Sequence, residues 1–338
     1  MWHVTILLLT LSQRSTAQPT KAAAMAVETL CDDAAYLEQL RTGMELQLTT
    51  SGQRLHDLQT EAEEMELAAA ATADKKAKRV YYALEAITRA RAARQSADIN
   101  STKAVMKASL RTLTQRLAQL QLLYTIYPAD RPKTAATAKT TETPGIFGAT
   151  TETCVITTTA DNADFAQCTT QSSQKAALKN AYAELSRETH IKATGDEMFK
   201  RRSIKITAAA KSTISSAMNT VDKDQCQGSS GVLTSTTNGI GATVEFANSA
   251  DATLTNVQIT PQTSGGKCGD SDPDKDKATV SQAGLAYAIC KVRNLKINLQ
   301  ETVKTTTKAN LETDPDAPTI LAASSRGPEG PSSKPLPY

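Results

Sequence analysis

The 338-residue chain sets 38 Lys and Arg against 35 Asp and Glu, a formal charge of +3 with the signs mixed along its length, so it presents no strong basic field for nucleic acid. Aromatic residues make up only 4% of it, and much of the 40% hydrophobic share is alanine, which suits thin, closely packed helices better than a thick globular core. The length allows one large domain or two small ones.

Val4 to Leu11 (VTILLLTL) is a short apolar run followed by small residues at Ser15 and Ala17. It reads as a secretory signal over 1–17, cut after Ala17, and is too short to span a bilayer. Met1-Trp2-His3 departs from the usual pattern by carrying no Lys or Arg. Six cysteines, at 31, 154, 168, 226, 268 and 290, are an even number in an exported chain and favour three disulfides, with fifteen possible pairings. Zinc is not expected: no C-x-x-C occurs, and outside the signal only His56 and His190 are present, neither with a partner at ligand spacing.

From Leu37 the apolar positions Leu37, Leu40, Met44, Leu48, Leu55, Leu58, Ala62 and Met65, with Ser51 among them, recur at alternating three- and four-residue steps, the seam of a helix against another helix. Met106, Leu110, Leu113, Leu117, Leu120 and Tyr124 repeat it, and Val80, Leu84 and Ile87 belong to the same face. No proline lies between Pro19 and Pro128, so the stretch is expected to be helical almost throughout. A seam needs a partner, and the nearest is the chain itself. A hairpin over 25–127 turning at Thr72-Ala73-Asp74, with Asp74 as N-cap, gives two arms of about 45 and about 50 residues. A turn at Ser96–Ser101 leaves the arms mismatched, and Lys75-Lys76-Ala77-Lys78-Arg79 reads as a solvated helix end.

Past Pro128 the heptads give way to Thr, Ala and Gly, and 128–279 reads as a loop-rich, cysteine-bearing head. Lys175 to Arg187 and Ile204 to Met218 are expected as helices, and the run from Gly228 as short strands between Gly and Asn turns. Val280 to Leu311 reads as a return helix along the hairpin. The Pro/Gly/Ser-rich tail over 313–338 is expected to be disordered. The fold class is therefore mainly α: an elongated antiparallel coiled-coil hairpin with a third helix and a partly β, disulfide-stapled head.

Catalytic signals are thin. Gly269-Asp270-Ser271 after Cys268 is followed by Asp272 where a trypsin-like serine site needs glycine, and then by Pro273; a triad also needs a histidine supported by an acid, and His56 sits beside a helical seam. Asp270, Asp272, Asp274 and Asp276 alternate like the start of a calcium loop, but Lys275 and Ser281 stand where that loop needs glycine and glutamate. No cofactor motif is present, and the chain is not expected to be an enzyme. Asn100-Ser101-Thr102 is the one N-x-[ST] sequon, which makes Asn100 the candidate glycosylation site.

The stretches "AVETLCDDAAYLEQL", "TETCVITTTADNADFAQC" and "AGLAYAICKVRNLK", with the seams through Tyr124, resemble the variant surface glycoproteins of African trypanosomes, in particular their class A N-terminal domain, over residues 18 to 312. The resemblance implies Cys31–Cys168 and Cys154–Cys226 bridges, which leaves Cys268 and Cys290 to each other. It also implies a homodimeric coat antigen at the cell surface, shielding the membrane and met by host antibodies. A receptor-type subunit of the same fold, binding a host serum protein as the heterodimeric transferrin receptor does, is the competing reading. The family's small cysteine-rich C-terminal domain and glycosylphosphatidylinositol signal have no counterpart before Tyr338, which leaves three expectations: a truncated or incomplete gene copy, a secreted form, or an unanchored subunit held by an anchored partner.

Overall fold

Thr29, Leu30 and the acids Asp32 and Asp33 begin the first of the chain's two long helices. In the computed structural model α1 (Ala22–Met25) is followed by α2 (Leu30–Ala71), 42 residues, and after three residues by α3 (Lys75–Ile126), 52 residues. At 1.5 Å per residue the two long helices run about 63 and about 78 Å. The structure describes residues 21–126, 133–136, 140–142, 151–153, 156–159, 165–200, 203–211, 218–220, 225–227, 239–247, 253–260 and 267–325; the expected signal over 1–17 lies outside them.

The turn falls at Thr72–Asp74, as the spacing predicts. Asp74 Oδ1 accepts the Lys76 amide at 2.9 Å, capping α3, a contact that contributes about 1 kcal/mol. The seam residues Leu37, Leu40, Met44, Leu58, Ala62, Ile87, Met106, Leu113 and Leu120 are all at most 1% exposed. Leu48, Leu55, Met65, Leu84, Leu110, Leu117 and Tyr124 of the expected seam are only half-buried, and Val80 is 51% exposed.

The chain divides into two compact units. One, here the sheet unit, holds residues up to Glu38 and Gln115–Ala286; the other, the hairpin unit, holds Gln39–Thr114 and the chain from Tyr287 onward.

In the sheet unit, β1 (Lys133–Ala136) pairs with β4 (Ile156–Thr159), and β2 (Thr140–Glu142) with β3 (Thr151–Thr153). α4 (Phe165–Ser173) follows, then two 3-10 turns flanking α5 (Ala181–Glu184), where the sequence reads as one helix from Lys175 to Arg187. β5 (His190–Thr194) pairs antiparallel with β10 (Leu254–Gln258). A four-stranded antiparallel sheet has the order β6 (Ser203–Lys211), β9 (Gly239–Ala247), β8 (Gln225–Gln227), β7 (Met218–Thr220). The expectation of a helix from Ile204 to Met218 is therefore corrected: Ser203 to Lys211 is a strand, paired residue for residue with β9 from Ala247 back to Gly239. Alanine favours helix locally, but a nine-residue ladder to a distant partner overrides that preference.

α6 (Gln282–Val292) starts in the sheet unit and ends in the hairpin unit. The expected return helix over 280–311 stops there. Beyond Val292, side chains of the long helices take the amides that a continued helix would have used: Gln95 Oε1 accepts Gln300 N at 2.9 Å, and Glu61 accepts Val303 N at 2.8 Å and Lys304 N at 2.6 Å. A short helix α7 (Lys308–Thr313) follows, capped by Thr307, and then α8 (Ala317–Ser325). The expectation of disorder from 313 is thus corrected over 317–325. Ile87, Val303 and Ala317 form a buried cluster with Leu84, Leu311 and Ile320 packed against it.

Candidate functional site: two anchoring clusters

In the sheet unit the entrance to α2 is locked by its own first turn. Thr29 Oγ1 accepts the Asp32 amide at 3.1 Å, while Asp32 Oδ2 accepts the Thr29 amide at 3.0 Å and the Glu28 amide at 3.1 Å. This reciprocal pair is a capping box, readable in the sequence as Thr29-x-x-Asp32 and missed there. Lys175 Nζ also donates to Asp32 Oδ2 at 2.8 Å. Burial pushes the Asp32 carboxyl up, but Lys175, Ser172 and the Glu28 and Thr29 donors outweigh it and hold the group below the usual carboxylate range. Cys31 stands inside this turn and is bridged to Cys168 of α4, with Cα atoms 5.2 Å apart and 137 residues between them in sequence.

One residue further, Asp33 is fully buried. Its Oδ2 accepts both the amide and the hydroxyl of Thr194, each at 2.8 Å. Burial raises the Asp33 carboxyl despite these donors and the charge of Arg116. Arg116 of α3 has no solvent-exposed side-chain surface. It donates to Val280 O at 2.7 Å, to Asp196 Oδ1 at 3.2 Å and to Thr194 O, and its guanidinium lies 4.3 Å from the Phe199 ring centre. Burial lowers its proton affinity, and Asp33 and Asp196 oppose that shift. The strand end at Thr194 and the start of α6 thereby converge on one cation.

In the hairpin unit, Arg91 of α3 donates to Asp314 Oδ2 at 2.8 Å and to Glu301 O at 2.8 Å, and Arg94 pairs with Asp314 and Asp316. The second Asp314 oxygen accepts the Asp316 and Ala317 amides at 2.9 and 3.1 Å, capping α8. Ser109 of α3 donates to Ala288 O at 2.9 Å. A polar cleft beside α2 is lined by residues including His56, Asp57, Glu61, Glu64 and Lys304.

The expected site residues distribute as follows. Cys31 and Cys168 are joined, and Cys268 and Cys290 are each in a disulfide. Cys154 lies outside the described residues, and of Cys226 only the backbone in β8 is described, opposite Asn219 and Ile240. Asn100 is exposed on α3. Of the alternating acids after Cys268, Asp274 serves the start of α6: it accepts the Ser281 amide at 2.6 Å, the Ser281 hydroxyl at 2.7 Å and Lys277 Nζ at 3.0 Å. These donors hold the Asp274 carboxyl low against the opposing push of burial. Among the described residues no group of three or more His, Cys, Asp or Glu is placed to hold a metal, and no helix is long and apolar enough to cross a membrane.

The chain shares its fold with solved structures of variant surface glycoproteins. The chain superposes on the structure of variant surface glycoprotein VSGsur with a TM-score of 0.70, at 20% identity, covering 91% of this chain and 84% of that one. The structure of VSGsur bound to suramin gives a TM-score of 0.71 at 20% identity, with 92% and 82% covered. A mutant of VSGsur gives 0.69 at 21% identity, with 91% and 85% covered. No protein-family model matches the chain, and no curated protein sequence does.

Proposed function

We propose that the chain is a surface coat protein of the variant surface glycoprotein kind: a helical spacer carrying a replaceable, loop-rich lobe that shields the parasite membrane and supports antigenic variation and evasion of host immunity. The observation that carries this reading is the shared fold, a TM-score of 0.70 over 91% of the chain. Residues 18–312 form the coat domain, which acts as a homodimer at the outer face of the plasma membrane or in secreted form and is met by host antibodies. Cys154–Cys226 supplies a bridge of the lobe beside Cys31–Cys168, and Asn100 carries a glycan. The function rests on bulk, packing and exposure, and no reaction is assigned to it.

The test is to express the tagged full chain in trypanosomes and probe live cells with antibody and protease. Labelling of intact cells at coat density, and its loss on brief trypsin treatment, is expected. Retention inside the cell, or saturable uptake of one host serum protein by sparse copies of the chain, overturns the coat reading, and the second result establishes the receptor reading in its place.

A further inference from the structure

Between Glu66 of α2 and Glu85 of α3 the sequence holds one acid, Asp74, and four cations, Lys75, Lys76, Lys78 and Arg79. They occupy the tip of the hairpin. Lys75, Lys76 and Arg79 are exposed and Lys78 is half-buried. None of the four forms an ion pair among the described residues; the closest ion pairs along α3 are those of Arg89 with Glu66 and Glu85.

The first turn of α3 contains no acid, so these cations stand at the positive pole of its backbone dipole. The negative pole of α2, close by in sequence, and the Asp74 carboxylate that caps α3 offset part of that repulsion, one acid against four cations. Around them the tip exposes apolar groups: Leu67 at 69%, Val80 at 51% and Tyr82 at 46%. α8, whose Ile320 packs on the Ile87 cluster, carries no charge along Ala317–Ser325 and exposes Leu321.

Cations alone would serve a polyanion such as a nucleic acid, which has no use for exposed aliphatic side chains. A second copy of the chain is disfavoured as the occupant of the tip itself, because a twofold contact there would bring like charges together. Ammonium and guanidinium groups set among leucine, valine and tyrosine match an anionic bilayer surface, where the charges meet headgroups and the apolar groups enter the interfacial layer. We infer that the hairpin tip, residues 67–82, is a docking surface for anionic lipid. This does not depend on the coat reading, whose test is surface exposure on cells.

The experiment is flotation of the full chain with phosphatidylcholine vesicles, with and without phosphatidylserine. Partition onto the phosphatidylserine vesicles is expected, weakening as salt shortens the screening length to about 10 Å and below. Each cation contributes about fivefold, so a variant combining Lys75→Gln, Lys76→Gln, Lys78→Gln and Arg79→Gln partitions about a hundredfold or more less, with an unchanged or raised melting temperature by circular dichroism. A second variant, Val80→Ser with Tyr82→Ser, loses several-fold while keeping its salt dependence. Equal partition onto both vesicle types, or full partition by the fourfold variant, overturns the inference. So does an unaffected Val80/Tyr82 variant, which would reduce the tip to a polyanion patch.

Discussion

Arg91 and Asp314 stand 223 residues apart in sequence, and their side chains meet, Nε to Oδ2 at 2.8 Å, with each 4% exposed. Asp314→Ala leaves a buried guanidinium without its main partner and removes the cap of α8. The expected cost is about 3–5 kcal/mol, read as a lower urea midpoint and as faster amide exchange across 302–325. Replacing both partners, Arg91→Met with Asp314→Leu, is expected to cost less than the single change, since no uncompensated charge remains.

Arg116→Met removes the cation that faces Asp33 and ties Thr194 to Val280. A loss of about 3–5 kcal/mol is expected. Asp33→Asn in the Arg116→Met background is expected to cost less than it does alone, with a coupling of about 1 kcal/mol or more in a double-mutant cycle. Strict additivity would show that the two groups do not act together.

The Cys31–Cys168 bridge closes a loop of 137 residues. Replacing both cysteines with alanine is expected to lower stability by about 5 kcal/mol in the chain-entropy model, measured by denaturant unfolding. Non-reducing peptide mapping that finds either thiol free in the unmodified chain contradicts the bridge directly.

Asp32 and Asp274 are both held below the usual carboxylate range in the folded chain. A lowered folded value means that the stability they contribute is fully present above the unfolded value, about pH 4, and is lost as pH falls through the lower folded values. Asp33 has the opposite sign: its raised value makes folding lose stability as pH climbs from the unfolded value through the folded one, so acid partly favours it. Urea midpoints measured down to pH 2 are expected to fall most steeply below about pH 4. Asp32→Asn is expected to flatten that fall.

The long helices and their turn were legible because an unbroken apolar seam and the absence of proline speak locally. The anchors also left a trace. Thr102, Met106, Ser109, Leu113, Arg116 and Leu120 keep alternating four- and three-residue steps, and all six are buried. Ser109 and Arg116, standing in phase with the seam, announce that something polar packs there, although not what; the Thr102 hydroxyl turns back to its own helix. What packs there lies far away in sequence, and neither composition nor spacing reaches that far. The same reason explains the misread segments. Ala208 to Ala210 look helical alone and are held as strand by residues 240–242 of β9. The chain after Asp314 looks unstructured alone and is ordered by Arg91 and Arg94.

Many of the anchors grip main chain rather than side chain. Arg116 holds the carbonyls of Thr194 and Val280, Glu61 the amides of Val303 and Lys304, Gln95 the amide of Gln300, Ser109 the carbonyl of Ala288, and Lys192 the carbonyl of Met25. Amides and carbonyls are present whatever residue occupies a position, proline's missing N–H aside. Substitution within the gripped segments leaves these bonding groups in place, so the position of those segments is set by a few side chains of the gripping elements more than by the residues gripped.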